Sequence, residues 1–177
     1  MATLVRFDAA GVAHEVVRGT AAVTEALTTL GLGFGRWPEL RGGDPLIAYA
    51  DEIAALVARY DIRSQDRVAL KPGDARWPVL RAQFQTEHTH DDFEIRVFVG
   101  GRGLFRVRGP DAFYGLLCEA GDWVSVPAGT QHDFDAGAEP DFDALRLFAR
   151  PDGWVAKPTE AARPPLPDFD EFIARFG

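Results

Sequence analysis

The chain has 177 residues, of which 46% are hydrophobic, and it carries a formal net charge of −8 with an isoelectric point near 4.9. A chain of this length can bury the core of one compact domain. Its acidity argues against non-specific binding to nucleic acid or to an anionic membrane, because both repel a surface of the same sign.

No charged-then-apolar leader opens the sequence, and no apolar run approaches the roughly 20 residues that span a bilayer. Cys118 is the only cysteine, so an internal disulfide is excluded. We therefore expect a soluble small-molecule protein in the reducing cytoplasm. The stretch Gly115-Leu116-Leu117-Cys118 predicts a buried strand residue rather than a nucleophile, since free cysteine is often buried.

The N-terminal region predicts two short strands. Apolar and polar side chains alternate around Leu4–Phe7 and again around His14–Val17, and Gly11 supplies a turn between them. His14 stands apart from the other histidines, and we expect it to have no ligand role.

Helical spacing follows in two places. Thr20 is placed to cap a helix over residues 21–30, which Gly31 and Gly33 would end. A second helix is predicted from Pro45 to about residue 60, with Asp44 as its cap. Apolar residues between 46 and 56 fall on one face, which predicts packing against the same domain.

From about residue 66 the pattern favours β-structure. Short strands at this spacing predict a sandwich or barrel, and a jelly roll would leave an interior large enough for a metal and a small ligand. A proline-rich tail is expected over residues 157–167, followed by a helical turn at 168–175. The predicted strands are 67–70, 105–108, 113–117, 123–126 and 144–148.

Three of the four histidines lie in two short segments that also contain a carboxylate at metal-ligand spacing. In an extended chain, alternate side chains share a face, so four polar groups near residues 88–96 would face one way. Ile95, Val97 and Val99 would face the core. Three imidazoles and one carboxylate leave two positions open on a six-coordinate ion, which indicates chemistry rather than structural support. The predicted ligands are His88, His90, Glu94 and His132.

Glycines and a proline frame these ligands. Gly100, Gly101 and Gly103 predict a tight hairpin after a strand, and Pro127 with Gly129 predicts a turn just before His132. The two segments, His88-x-His90-x3-Glu94-x6-Gly101 and Gly121-x5-Pro127-x-Gly129-x2-His132, resemble the two motifs of the cupin superfamily. That resemblance implies a mainly β double-stranded β-helix, preceded here by a short α/β segment of about two helices.

Residues 84–154 further resemble the acireductone dioxygenase family of methionine salvage, and residues 33–37 resemble it more weakly. Within cupins, Arg96 two residues after the ligand glutamate and the Gly153-Trp154 ending are the discriminating features. The resemblance rests on Phe84, residues 87–90, 94–96 and 103–105, Val126-Pro127-Ala128, His132, residues 146–148 and residues 152–156.

The family resemblance implies cleavage of 1,2-dihydroxy-5-(methylthio)pent-1-en-3-one, the acireductone, by O₂. With Fe²⁺ the implied products are formate and 4-methylthio-2-oxobutanoate. With Ni²⁺ in the same ligands they are formate, carbon monoxide and 3-methylthiopropanoate. One Fe²⁺ or Ni²⁺ per chain is the implied cofactor.

Further residues are predicted around the metal. Arg96 shares the ligand face, where an unpaired guanidinium is costly, so we expect it to stabilise a substrate dianion. Arg146 is either a second cation for the substrate or part of an ion pair. Phe84, Phe134 and Trp154 either wall the methylthio end of the substrate or belong to the core. Glu87 is either a surface acid or a group that orients a ligand.

Two other classes of function stay open at this point. One is a different cupin metalloenzyme, such as a decarboxylase, another dioxygenase or an isomerase. The other is a small-ligand sensor, which the lack of a basic helix-turn-helix pattern disfavours. We expect one domain over residues 1–177, with an N-terminal segment to 65, a barrel over 66–156 and a tail over 157–177, and a monomer that binds only its substrate and O₂.

Overall fold

The computed structural model describes residues 1–38 and 43–177. Over those ranges no helix combines the length and the apolar character that a membrane crossing needs. The helices are α1 (Thr20–Thr28), α2 (Pro45–Ala48), α3 (Ala50–Tyr60), α4 (Trp77–Phe84) and α5 (Phe169–Phe176). The strands are β1 (Thr3–Phe7), β2 (Ala13–Arg18), β3 (Gly33–Arg36), β4 (Ser64–Leu70), β5 (His88–Thr89), β6 (Glu94–Arg108), β7 (Phe113–Glu119), β8 (Asp122–Val126), β9 (His132–Asp135), β10 (Phe142–Phe148) and β11 (Lys157–Pro158).

The strands form two antiparallel sheets that share β6. One sheet has the order β2-β1-β7-β6-β9-β5-β11, and the other has the order β4-β10-β6-β8-β3. The N-terminal strands β1, β2 and β3 are therefore members of the sheets. This antiparallel, mainly β architecture confirms the predicted fold class.

Strand β6 joins the two sheets without a break, so the predicted hairpin at residues 100–103 is wrong. Residues Glu94–Val97 pair with β8, while residues Arg102–Arg108 pair with β7. Gly101 lies between the two halves with a φ of 63°, and a Cβ there would lie 1.9 Å from the carbonyl oxygen of Asp141. The glycine thus bends one long strand from one sheet into the other.

The helices depart from the predictions at their ends. Gly19, and not Thr20, is the N-cap residue of α1. The expected single helix over 45–60 is two helices, because the backbone of Tyr49 leaves the helical region while its buried ring packs on Trp37 at 4.9 Å. Asp44 caps α2 as predicted by accepting from the backbone of Leu46. Gly33 opens β3 rather than ending a helix.

Three apolar clusters hold the fold together. The largest fills the barrel and includes Phe98, Phe105 and Phe134, and Cys118 belongs to it as predicted. A second cluster forms where α5 covers the sheet that contains β1 and β7. In the third, α3 covers Ile95 and Val97 together with Leu145 and Leu147 of β10, so the apolar face of β6 is buried as expected. The opposite face of β6, which carries Glu94 and Arg96, points into the barrel interior.

Asp122 is a fully buried carboxylate at the start of β8 and predicts a specific pH dependence. It accepts hydrogen bonds from Arg36 Nη1 and from the backbone N–H of Glu119, each at 2.8 Å. Burial raises its pKa to about 6, although the nearby Arg36 opposes the shift. Between about pH 4 and pH 6, Asp122 is therefore protonated in the folded protein and ionised in the unfolded chain. The free energy of unfolding falls as pH rises through this range.

We expect the free energy of unfolding of the wild type, relative to that of Asp122→Asn, to fall by about 2 kcal/mol between pH 4 and pH 7. The asparagine is matched in size and does not titrate. Urea unfolding of both proteins across this range measures the difference, and a difference that does not change with pH contradicts the assignment.

Candidate active site

The four predicted ligand residues converge at one end of the barrel, on three different elements. His88 lies on β5 directly opposite His132 of β9, and Glu94 is the first residue of β6. His90 follows β5, and its carbonyl accepts from the backbone N–H of Gly129 at 2.9 Å. The chain bends at residues 91–92, so the predicted single extended face over 88–96 is wrong. His90 lies beside Glu94 because of this bend, and not because the two residues share one face of a continuous strand.

Each imidazole is oriented by a hydrogen bond from Nδ1 to a backbone carbonyl. His88 bonds the carbonyl of Thr86 at 2.7 Å, and His132 bonds that of Thr130 at 2.9 Å. His90 bonds the carbonyl of Val155 at 3.0 Å. Because a carbonyl only accepts, each Nδ1 carries the proton and each Nε2 keeps its lone pair. This is the arrangement that orients histidine ligands of a metal.

The lone pairs meet in one small volume. A potential donor atom from each of the three histidines lies within 4.8 Å of the others. Oε2 of Glu94 lies 3.2 Å from Nε2 of His90 and 3.5 Å from Nε2 of His132. These two buried nitrogens have no hydrogen-bond partner among the described residues. Since a buried polar atom without a partner is costly, the four side chains fit a divalent metal ion.

The electrostatics of the site also suit a cation. Burial lowers the pKa of His88 to about 4, and the neighbouring His132 adds to the shift, so this imidazole is neutral at pH 7. Burial opposes ionisation of Glu94, but Arg96 and the imidazoles outweigh it and hold its pKa well below the usual range. A neutral His88 and an ionised Glu94 are therefore present in the site near neutral pH.

Glu94 uses its two oxygens differently. Oε1 accepts from Arg96 through Nε at 3.0 Å and Nη2 at 2.5 Å, while Oε2 faces the imidazoles. The Arg96 guanidinium lies 4.4 Å from the ring centroid of Phe134 and 5.0 Å from that of Phe105. Two aromatic faces and one carboxylate thus fix a buried cation beside the metal ligands.

These groups line a cavity of about 870 Å³. The four residues predicted to bind substrate, namely Phe84, Phe134, Arg146 and Trp154, all line it. Arg146 also pairs with Asp66 at 2.5 Å, so the ion pair is present, and a role as a second cation for the substrate stays a prediction. Trp154 is half exposed, at the rim of the cavity. Glu94 is the only acidic residue among those described around the cavity.

Glu87 and His14 lie apart from the ligand nitrogens. The carboxylate of Glu87 is buried and accepts from Arg108 at 2.9 Å and from the hydroxyl of Thr159 at 2.8 Å. These contacts join the residue before His88 to the C-terminal segment, and an effect of Glu87 on ligand orientation stays a prediction. His14 is exposed and pairs with Asp8 at 2.7 Å.

Sequence reasoning missed the helix α4 and the carbonyl of Val155. Helix α4 forms one wall of the cavity, and Pro78 in its first turn was an available signal. Val155 directly follows the Gly153-Trp154 pair that was singled out. A Cβ on Gly153 would lie 2.6 Å from Oδ2 of Asp92, which accepts from the backbone of Arg150. The glycine therefore allows this segment to pack close to the loop that contains His90.

Three imidazoles and a carboxylate inside an antiparallel β barrel define a metal-binding protein of the cupin class. Residues 47–156 match the ARD/ARD′ family, and the chain is 44% identical over 151 residues to the acireductone dioxygenase of Methylococcus capsulatus, covering 81% of each chain. The chain belongs to the acireductone dioxygenase family.

Other relatives agree with this assignment. The acireductone dioxygenase of a Hydrogenobaculum species is 38% identical over 163 residues, covering 88% of this chain and 89% of the relative. A solved structure of acireductone dioxygenase from Bacillus anthracis, with a cadmium ion in its active center, superposes with a TM-score of 0.77 at 26% identity. The superposition covers 89% of this chain and 98% of that one.

Proposed function

We propose that this protein binds one Fe²⁺ or Ni²⁺ through His88, His90, Glu94 and His132 and cleaves 1,2-dihydroxy-5-(methylthio)pent-1-en-3-one with O₂. The observation that carries the proposal is that the buried Nε2 atoms of His90 and His132 lie beside Glu94 and have no hydrogen-bond partner among the described residues, in a cavity that also holds a buried guanidinium. A bound divalent ion supplies a Lewis acid that holds the enediol oxygens and favours their deprotonated form.

The charges of the site select an anionic substrate. The charge of Glu94 cancels that of Arg96, and histidine binds a metal in its neutral form, so a divalent ion would leave two uncompensated positive charges in a largely buried site. An enediol that has lost both hydroxyl protons balances them. A neutral substrate of the same shape would leave the charges unbalanced and is expected to bind less tightly.

Arg96 is the residue that we expect to act on the substrate. Its planar guanidinium can donate to a substrate oxygen from the side of the cavity where Glu94 already orients it. It is fixed before substrate arrives, so little reorganisation is needed as negative charge moves during bond cleavage. Phe134 covers one side of the guanidinium and limits the access of water to it.

The products follow from breaking the bond between C1 and C2 of the substrate. C1 leaves as formate and the rest becomes 4-methylthio-2-oxobutanoate, with one atom of O₂ on each fragment, which balances the reaction of the Fe²⁺ form. With Ni²⁺ we propose that the bond between C2 and C3 breaks as well, so that C1 leaves as formate, C2 as carbon monoxide and the rest as 3-methylthiopropanoate, with one atom of O₂ on C1 and one on C3. The donor set does not identify the ion that is bound in the cell, because intrinsic affinity rises from Fe²⁺ to Ni²⁺ at any such site while the supply of each ion decides which one occupies it.

The proposal places the protein in methionine salvage in the cytoplasm and needs a single chain, because all four ligand residues and Arg96 come from one chain. Anaerobic reconstitution with Fe²⁺ and Ni²⁺ separately, followed by O₂ uptake with the acireductone, tests the function. We expect formate from both forms, the oxo acid with Fe²⁺ and carbon monoxide with Ni²⁺. Absence of uptake by fully loaded protein would reject the proposal, and sedimentation equilibrium checks the monomer.

A further inference from the structure

The cavity is much larger than the substrate proposed above. That acireductone has about ten non-hydrogen atoms, and even at the about 30 Å³ that a water molecule takes in the liquid they need about 300 Å³. The cavity has about 870 Å³. More than half of its volume therefore lies outside the part that the metal ligands and the reacting atoms use.

The lining of the cavity also includes residues of β4 and α4, which carry none of the proposed metal ligands. Strand β4 is the edge strand of its sheet and is separated from β6 by β10. Val68 and Leu70 of β4 and Leu80 and Phe84 of α4 line this side of the cavity, and all four pack with the barrel core. The wall is thus apolar and continuous with a well-packed core, which favours an apolar ligand.

Two arginines border the same side, but neither is placed to prefer a charged tail. Arg67 makes two hydrogen bonds to Asp143, at 2.6 and 2.8 Å. Arg76 is bound in the same way to Asp74, at 2.6 and 2.9 Å. Each guanidinium is already neutralised by a carboxylate, so the chemistry of this side is that of its hydrocarbon wall.

We propose that the protein accepts acireductones whose unbranched apolar tails are several methylenes longer than the methylthioethyl group, with Val68, Leu70 and Leu80 as the residues that set the tail length. The inference rests on the proposed function, because the enediol head is held at the same metal ligands. The reaction is unchanged: C1 leaves as formate and the remainder, with its longer tail, becomes a 2-oxo acid.

A series of 1,2-dihydroxyalk-1-en-3-ones that differ only in tail length tests the proposal. Calorimetric titration of the Ni²⁺-loaded protein without O₂ gives Kd, and O₂ uptake gives kcat/KM. We expect Kd to fall roughly fourfold for each added methylene until the space is filled, as for transfer of a methylene out of water. A Kd that is constant or rises beyond the length of methylthioethyl would overturn the proposal.

Substitutions in β4 and α4 test whether these residues set the dependence of Kd on tail length. Leu80→Trp and, independently, Val68→Phe fill the space, and each should reduce the ratio of Kd between the shortest and longest tails by at least about tenfold, which equals the loss of about two buried methylenes. Val79→Trp introduces the same side chain as Leu80→Trp, but on the exposed side of α4, and should leave the ratio unchanged. Thermal unfolding verifies that each variant is folded.

The outcomes separate the two proposals. If no acireductone of any length is turned over, the proposed function fails. If the methylthio substrate is turned over but longer tails bind no better, only the inference about tail length fails. If Leu80→Trp and Val68→Phe weaken binding by the same factor at every tail length, the inference about tail length is also overturned.

Discussion

Replacement of His132 by alanine is expected to abolish both metal binding and turnover. His132 contributes one of the two buried Nε2 atoms that have no hydrogen-bond partner in the described part of the chain, and its ring is already oriented through Nδ1. Loss of a group that only orients a ligand costs roughly 10- to 100-fold in metal affinity, so loss of the ligand itself should cost more than 100-fold. Metal content after anaerobic reconstitution and the Kd for Ni²⁺ measure the effect.

His14→Ala is the matched control, because it removes the one histidine that lies apart from the site. His14 is exposed and pairs only with Asp8 among the contacts described for its side chain. We expect its metal content and turnover to equal those of the wild type. Circular dichroism verifies that His132→Ala is folded. If the folded variant still binds one Ni²⁺ per chain, the imidazole of His132 is not a ligand.

Arg96→Ala is expected to reduce turnover by about 10³-fold or more while the metal stays bound. The substitution leaves all four ligand residues in place, so the protein should still load with one ion. What is lost is the preorganised cation held by Glu94, Phe105 and Phe134. Loss of one such donor to developing negative charge costs roughly 10²- to 10³-fold, and loss of the full charge should cost more.

The control for this variant is Arg102→Ala, on the same strand but at the exposed bend of β6. It removes an equal charge, so any general effect of net charge on substrate encounter appears in both variants. Turnover and metal content are measured together, because loss of metal from Arg96→Ala would make Arg96 a support for Glu94 and not a group that acts on substrate. Full activity of metal-loaded Arg96→Ala contradicts the proposed role.

The set of candidate ligands that the fold brings together could be predicted from sequence alone, because it depends on residue type and short spacing. Three histidines and Glu94 are close in two segments, and a metal requires such donors whatever the surrounding fold. Strand patterns, the capped start of α2 and the burial of Cys118 were also predictable, since alternation and capping are local properties.

The tertiary structure alone decided how those ligands meet. Local alternation placed His88, His90 and Glu94 on one strand face, whereas the chain bends between His90 and Glu94 and the orientation of His90 depends on a carbonyl 65 residues away. The sequence around Gly101 was equally ambiguous, because a glycine with a positive φ is compatible both with a hairpin and with a bend within one long strand. Only the pairing of β6 with strands of both sheets distinguishes the two.

The size of the cavity is likewise set by contacts distant in the chain. Its walls come from β4, α4, the ligand strands and residues 154–158, which are separated by tens of residues and meet only when the sheets close. Sequence thus determined which atoms are available to bind a metal, because that is a matter of composition and short spacing. Tertiary packing determined the orientation of those atoms, the pairing of Arg96 with Glu94 and the space left for a substrate. All three depend on which side chains are buried against one another in the folded protein.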